Sequence, residues 1–529
     1  MGAPYEVIIV GGGHNGLTAA SYLARAGRRV LLLERKEVVG GAAVTEELFP
    51  GFRCSTLADG CGYLDDGLVQ DLKLTTHGLE ILPADPVITS LLPDGRRLSF
   101  WVDTERTVRE IRQFSERDAE KYPEFLELMS KIAAVIGALH RVTPLDLPDI
   151  SFKQLMGMME IIAPFRRLGR KNIAEFLRVL AMPVSDLLNE WFTSEEVKGA
   201  IAASGVRGIS FGPFESGTVY MLLSRWAGAG NGLFRSAGTV RGGMGVLTQA
   251  IAAAACQNGA EIRTRADVVQ ISIQAEQSTG VVLKGGEQLR AATVISGVDP
   301  RTTLLRLVGP KYLATAFVRA VRCIKYRGSA ARVHLALRRL PRFVAIPDSE
   351  SETYLRGAVQ IAPTMDYIQR AFDHAKYGDF SPQPYLDVRV PTVSDASLAP
   401  ASRHLMSVTA KYAPYQLRHA DWETQRDALG DSVLETLTRY APDFRDSVLH
   451  MQVLTPRDME LDYGLPEGNP NHGEMTLDQF FHMRPLPGYA RYRTPIAGLW
   501  LCGSGSHPGG GVTGLPGKNA AREVLSHTG

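Results

Sequence analysis

The chain opens on a run with no polar alternation. Val7-Ile8-Ile9-Val10 is continuously apolar and β-branched, the pattern of a strand covered on both faces in a parallel sheet. It stops at Gly11-Gly12-Gly13-His14-Asn15-Gly16. From Leu17 to Ala26 the apolar positions shift to helical spacing, with Leu17, Ala20, Leu23 and Ala24 on one side, and Gly27 supplies a C-cap. Val30 to Leu33 is a second buried run, ending on Glu34. The far end repeats the theme with an apolar stretch from Gly498 to Gly503, a glycine-rich loop from Ser504 to Gly514, and a helix from Lys518 onward. A third such passage, Arg241 to Leu247, leads into a helix from Thr248 to Gln257, with strands starting near Gly259 and at Val268.

The stretches between these passages read differently. Ser115-Glu116-Arg117-Asp118 offers a capping-box start to a helix carrying Tyr122, Phe125, Leu126, Met129, Ile132, Ala133 and Ile136 at helical spacing. Thr193-Ser194-Glu195-Glu196 opens another helix, so this part of the chain is predicted to be largely helical. Further on, Arg332 to Leu337 predicts a strand and Glu423 to Tyr440 a helix. There is no internal repeat and no low-complexity linker.

The first glycine loop asks for a phosphate-bearing ligand. Gly11 allows the tight turn, Gly13 lets the backbone approach a pyrophosphate, and Gly16 lets the helix pack on the strand. His14 and Asn15 lie at the mouth of that helix, whose free N–H groups favour an anion. Glu34, about 20 residues after the first glycine, suits the hydroxyls of an adenosine ribose and opposes a 2′-phosphate. The loop by itself leaves FAD and NAD both open.

Residues outside this loop point to FAD. Glu34-Arg35-Lys36 and Gly40-Gly41-Ala42-Ala43-Val44-Thr45, with Arg241 to Leu247 and Cys502 to Ala521, resemble the phytoene-desaturase-related branch of the amine-oxidase superfamily of flavoproteins. Leu454-Thr455-Pro456 and Met475-Thr476-Leu477-Asp478-Gln479 extend the likeness to the group named for a pyridine nucleotide-disulfide oxidoreductase domain, over essentially the whole chain. The resemblance implies an α/β, Rossmann-type FAD-binding domain with an inserted mixed α+β substrate domain. It divides the chain into 1–75, 236–309 and 486–529 for FAD, and 76–235 and 310–485 for substrate. It also implies that Arg35, Lys36, Gly40, Gly41 and Ala42 line the pyrophosphate region and that the backbone near Val268 meets the adenine. Gly503, Ser504, Gly511, Val512 and Thr513 would then hold the ribityl chain and flavin. Two departures stand out: Ala42 replaces a common Arg, and Ser504 replaces an Asp.

The activity the resemblance implies is hydride transfer between a C–C site of an apolar substrate and the flavin. A peroxide-producing amine or other oxidase, and a non-catalytic FAD-bound scaffold, are the alternatives. His472 or Glu474, with Arg484 nearby, is expected to supply the acid–base partner, and His507 to lie near the flavin.

Composition narrows the partners. With 529 residues, 45% hydrophobic and 22% charged, the chain is ordinary for a globular protein of two domains. A net charge of +2 gives no basic stripe for a nucleic acid. Five cysteines, the nearest pair being Cys54 and Cys61 with six residues between, speak against a disulfide framework and against dithiol chemistry beside the flavin. No metal constellation is evident. No secretory leader is read at the N-terminus, which with the cysteines leads us to expect a cytoplasmic protein. One stretch, 152–171, sets Phe152, Leu155, Met156, Met158, Met159, Ile161, Ile162 and Phe165 before Arg166, Arg167, Arg170 and Lys171. It reads either as a core helix with a solvated basic end or as a peripheral membrane contact.

Overall fold

The computed structural model describes residues 5–60, 63–146, 156–229, 233–235 and 238–528. Its first sheet is parallel and has five strands, in the order Leu499–Leu501, Thr293–Ser296, Val7–Val10, Val30–Leu33 and Glu261–Arg263. Successive side chains of a strand face opposite ways, and here both directions lead into core. Ile9, Leu32 and Ile295 pack beneath the helices His14–Arg25, Met244–Gln257 and Leu515–Thr528. Ile8, Leu31 and Val294 pack beneath the antiparallel sheet Val268–Gln274, Gln277–Leu283 and Gln288–Arg290 and the helix Thr315–Cys323. Apolar runs without alternation are what such a two-sided covering requires.

The second sheet has seven strands, in the order Val448–Leu454, Ala330–Leu337, His404–Lys411, Leu386–Arg389, Ala358–Ile361, Ile88–Leu91 and Arg97–Phe100. All its pairings are antiparallel except that of Ala358–Ile361 with Ile88–Leu91. A helical layer with its own core lies beside it, built around Tyr122, Phe125, Met129, Ile132 and Ile136 of the helix Glu116–Arg141. Ser115 accepts from Asp118 N as expected, but the reciprocal half of the predicted capping box does not form, because the Asp118 carboxylate accepts from Thr193 N and Ser194 N instead. Ser194 caps the next helix by accepting from Val197 N.

Three helices begin earlier than their apolar spacing suggests, at His14, Met244 and Leu515 instead of Leu17, Thr248 and Lys518. Glycine and proline are tolerated in a first turn, whose N–H groups have no intrahelical partner, so Gly16, Gly245 and Pro516 conceal the true starts. The strands Ile88–Leu91 and Arg97–Phe100 fall in a stretch predicted to be largely helical. Thr89, Ser90 and Ser99 are fully buried in them, so polarity and burial no longer coincide and the period-two signal is lost.

Of the stretch 152–171, Phe152 and Leu155 lie outside the described residues. The helix Met159–Leu168 buries Ile161 and Leu168 but leaves Met159 55% and Ile162 46% exposed, with Met156 at 53% just before it. Among the described residues no helix is long and apolar enough to cross a membrane.

Candidate active site

The carboxyl ends of the parallel strands open into a long cleft lined by Gly11, Gly13, His14, Asn15, Gly16, Glu34, Arg35, Lys36, Gly41, Ala42, Val268, His472 and Ser504, among others. Its glycines do different work. At Gly16 a Cβ would sit 2.2 Å from the Gly11 carbonyl oxygen, so the turn closes only without a side chain. At Gly13 a Cβ would meet no protein atom within 4 Å and would project into open space instead. Gly41, at φ +60°, packs on Gly13, and Gly40 N donates to the Gly12 carbonyl at 2.8 Å, so the second glycine pair braces the first loop.

Glu34 is buried at the strand end. Its Oε2 accepts from Gly12 N at 2.7 Å and its Oε1 from Lys36 N at 2.9 Å. These two bonds fix the carboxylate at the cleft wall while each oxygen keeps a lone pair for a ligand hydroxyl. Arg35 Nη2 donates to the Asp462 carbonyl at 3.2 Å, and Lys36 Nζ lies 3.9 Å from the centre of the Tyr463 ring, so both bases hold the segment that closes the outer side.

The inner end joins the chain's two extremities. Asn15 Nδ2 donates to Ser504 Oγ at 3.2 Å. Arg484 is wholly buried and binds two loops together. Its Nη2 donates to the carbonyls of Asn471 at 2.6 Å, Gly473 at 3.2 Å and Ser504 at 2.7 Å. Its Nε donates to Ser504 O at 3.1 Å and its Nη1 to Glu474 O at 3.3 Å. Burial brings Arg484 down to about 10, which leaves it charged.

Beyond Ser504 the cleft runs into a second cavity that shares His14, Ala42, Pro470 and Ser504 with it. Ala43, Leu57, Ala58, Met459 and Val512 give it apolar walls. Its floor comes from the seven-stranded sheet. Arg332 and His334, Ser407, Thr409 and Lys411, and Asp387 and Arg389 share one face of three adjacent strands, since Arg332 pairs with Thr409 and Thr409 with Asp387. Arg207 and Arg225 approach from the helical layer. Asp59 accepts from Arg332 Nη1 at 2.8 Å and Arg207 Nη2 at 3.4 Å. Asp387 takes Arg207 Nε at 2.9 Å and Arg235 Nη2 at 2.7 Å.

Lys411 is buried, donates to the Ile209 carbonyl and to Ser329 Oγ, and is brought down by burial to about 7.

The residues singled out in the sequence fall into three groups. Those lining the cleft are Gly11, Gly13, His14, Asn15, Gly16, Glu34, Arg35, Lys36, Gly41, Ala42, Val268, His472 and Ser504. Gly511 and Val512 line the neighbouring cavity, while Gly40 and Gly503 lie behind the walls, where a Cβ on Gly503 would meet Gly297 O at 2.6 Å. Thr513 Oγ1 accepts from Leu515 N in the turn that leads into the last helix. Glu474 lines neither space; its Oε1 accepts from Ser210 N at 3.0 Å and from Ser210 Oγ. His507 departs from its expected place by the flavin. Its Nε2 is 3.0 Å from the Leu139 carbonyl, its ring packs on Phe481, and it lines neither space. Burial lowers His14 to about 4 and His472 in the same direction, so both rings are neutral at neutral pH.

Cys54 and Cys502 are buried and their thiols are pushed up to about 12 by burial. Cys61 lies outside the described residues. Among the described residues no group of His, Cys, Asp and Glu could hold a metal ion.

The cleft fits a dinucleotide. His14 Nε2, Asn15 Oδ1 and His472 Nδ1 are buried polar atoms without a protein partner, all on residues that line it. Buried polar groups ordinarily find a partner, and an FAD molecule offers acceptors and donors along its length. Together the parallel sheet, the paired glycine loops and this set of unpartnered donors and acceptors define a flavin-dependent oxidoreductase. The chain belongs to the flavin-containing amine oxidoreductase family, whose model matches residues 16–373, and its cofactor is FAD. It is 35% identical to pyridine nucleotide-disulfide oxidoreductase domain-containing protein 2 of Rattus norvegicus, over 98% of this chain and 93% of that protein. It is 27% identical to a subunit of the limonene dehydrogenase of Castellaniella defragrans, over 99% of this chain and 95% of that one. The lycopene-forming phytoene desaturase of Pantoea ananas is 24% identical, over 98% of each chain. The structure of an oxidoreductase from Methanosarcina mazei shares the fold, with a TM-score of 0.63, 18% identity, and coverage of 98% of this chain and 100% of that one.

Proposed function

We propose that the protein is an FAD-dependent dehydrogenase moving hydride between a C–C site of a mainly apolar substrate body and the flavin. The observation that carries this is the wall shared by the two spaces. His14, Ala42, Pro470 and Ser504 face both, so a cofactor anchored in the cleft has its inner end at the mouth of the cavity. FAD, when bound, supplies the two-electron acceptor. The backbone at Gly13 and the N-terminus of helix His14–Arg25 would hold its pyrophosphate, Glu34 a ribose, the Val268 backbone the adenine, and Ser504 the ribityl chain. On this reading segments 1–75, 236–309 and 486–529 carry most of the cofactor site and 76–235 and 310–485 most of the cavity. Leu57, Ala58 and Val512 reach the cavity from the first set, and helix Thr315–Cys323 packs on the cofactor sheet from the second.

Leu57, Ala58, Met459 and Val512 exclude water from the substrate body. Lys411, poised near neutrality beside Ser329, can accept or return a proton at Nζ. His472 stays neutral and serves to position the cofactor. The names dehydrogenase and desaturase borne by two relatives support the direction of the reading.

The exposed Met156, Met159 and Ile162 beside Arg166 and Arg167 support a peripheral contact with an anionic lipid surface.

The test is the visible spectrum under anaerobic conditions. The purified protein should be yellow, stay oxidised with NADH or NADPH, and bleach with an alkene or alkane substrate without forming peroxide in air. Bleaching by either nucleotide reverses the direction of the reaction. Stoichiometric peroxide makes the protein an oxidase.

A further inference from the structure

The cavity beside the cofactor cleft carries more positive charge than an apolar substrate requires. Among the described residues, five guanidinium groups, Arg207, Arg225, Arg235, Arg332 and Arg389, are clustered around two carboxylates, Asp59 and Asp387. Lys411 adds one further buried cation, and Glu474, which acts on it, one anion. Burying a charge is costly unless it is paired, so a surplus of buried cations is not a packing solution.

The neighbours register that surplus. Burial alone would raise Tyr63, yet Arg225, Arg207, Arg235 and Arg389 pull its phenol below the usual value. Arg225, lowered first by burial, is lowered further by Arg207 and Arg235. The bonding is also incomplete on the cavity side. Arg332, 4% exposed, spends Nη1 on Asp59 and Thr409 but has no partner for Nε or Nη2. Arg225 donates from Nη2 to the Arg207 carbonyl at 3.3 Å and lies 5.0 Å from the centre of the Tyr63 ring, while its Nε has no partner. Both residues line the cavity.

A guanidinium with two vacant N–H groups on one edge matches the two oxygens of a carboxylate or phosphate. We propose that this cavity binds the oxyanionic head of an amphipathic substrate, Arg332 and Arg225 gripping the head while Leu57, Ala58, Met459 and Val512 cover the apolar body. This rests on the FAD-dehydrogenase reading above and narrows its substrate to acids or phosphate esters with an apolar chain.

The experiment titrates the FAD-loaded protein with octanoate, octyl phosphate and the neutral octanamide, reading the flavin absorbance change. Octanoate or octyl phosphate should bind at least tenfold more tightly than octanamide, and whichever binds more tightly identifies the head. In Arg332→Met and Arg225→Gln that preference should shrink to threefold or less, with Arg332→Lys retaining part of it, all at unchanged flavin content. Equal binding of octanamide in the FAD-loaded wild type, no spectral response to either anion, or an undiminished preference in both variants overturns the proposal. So does a variant that changes only FAD affinity, since the cations would then serve the cofactor. A wild-type protein that takes up no FAD sinks the dehydrogenase reading instead, which keeps the two failures apart.

Discussion

Arg484→Met removes a side chain that ties the loop Asn471–Glu474 to the loop Gly503–Gly505. Five N–H···O contacts to four carbonyls are lost, and each hydrogen bond to a charged group is worth about 1.5–3 kcal/mol. Against that stands the burial cost of the guanidinium, several kcal/mol, which the substitution relieves. The balance is a loss of about 2–4 kcal/mol, because the four carbonyls stay behind without their donor. The damage is local, since His472 and Ser504 ride on those loops and line the cofactor cleft. If it falls on cofactor binding, 2–4 kcal/mol corresponds to about 30- to 1000-fold weaker binding of FAD. Reconstitution of the apoprotein with FAD, followed by absorbance or flavin fluorescence, measures it directly. Arg484→Lys keeps the charge but not the planar fork, and should lie between the two. An Arg484→Met protein that binds FAD within threefold of wild type refutes the reasoning and reduces the arginine to core packing.

Gly13→Ala and Gly16→Ala should fail in different ways. The first projects a methyl into the cleft and should give a stable protein without FAD, whereas the second collides with Gly11 O and should lose about 1–3 kcal/mol of stability, which thermal melts and flavin content separate. Lys411, held near 7 by burial against the pull of Glu474 and with the help of Arg207 and Arg225, is charged on the acid side of that value and neutral above it. Octanoate should therefore bind best below about pH 7 and more weakly as the pH rises to about 8, and Lys411→Met should flatten that profile; an unchanged profile removes Lys411 from the anion site. Cys54→Ser should leave turnover of whichever substrate bleaches the flavin unaltered, because a buried thiol raised to about 12 is not a nucleophile at neutral pH. Flotation with anionic vesicles at low salt should carry the protein upward, and Met159→Ser with Ile162→Ser should abolish it. Wild-type protein that stays at the bottom rules out the lipid contact.

The cofactor half of the molecule was legible because its constraints are local. A two-sided strand must be apolar throughout, a close turn must be glycine, and Glu34 must stand at the strand end. Each condition leaves a mark within a few residues. The cavity was not legible in that way. Arg207, Arg225, Arg332, Arg389 and Lys411 come from separate passages and meet only through the register of the second sheet. A trace was present, since Arg332 and His334 alternate with Val333 and Leu335, as Asp387 and Arg389 alternate with Leu386 and Val388. Polar residues at period two ordinarily mark a solvent face, and here that face is turned inward. His507 misled because it sits within the glycine-rich motif while its ring turns back toward Leu139.

Ser504 meets Asn15 across 489 residues of chain, and the central strand Val7–Val10 takes its neighbour Thr293–Ser296 from nearly 290 residues further on. At synthesis rates of about 5–20 residues per second, roughly 25–100 seconds separate the emergence of the two halves of that contact from the ribosome. During the first part of this delay Val7–Val10 has only the strand Val30–Leu33 beside it, and its other edge leaves backbone N–H and C=O groups unpaired next to apolar faces. The cleft that needs both Gly13 and Ser504 is therefore complete only when nearly the whole chain has been made. An open strand edge of this kind is a template for wrong pairing until its mate appears, and a chain cut short before Ser504 cannot complete the clasp.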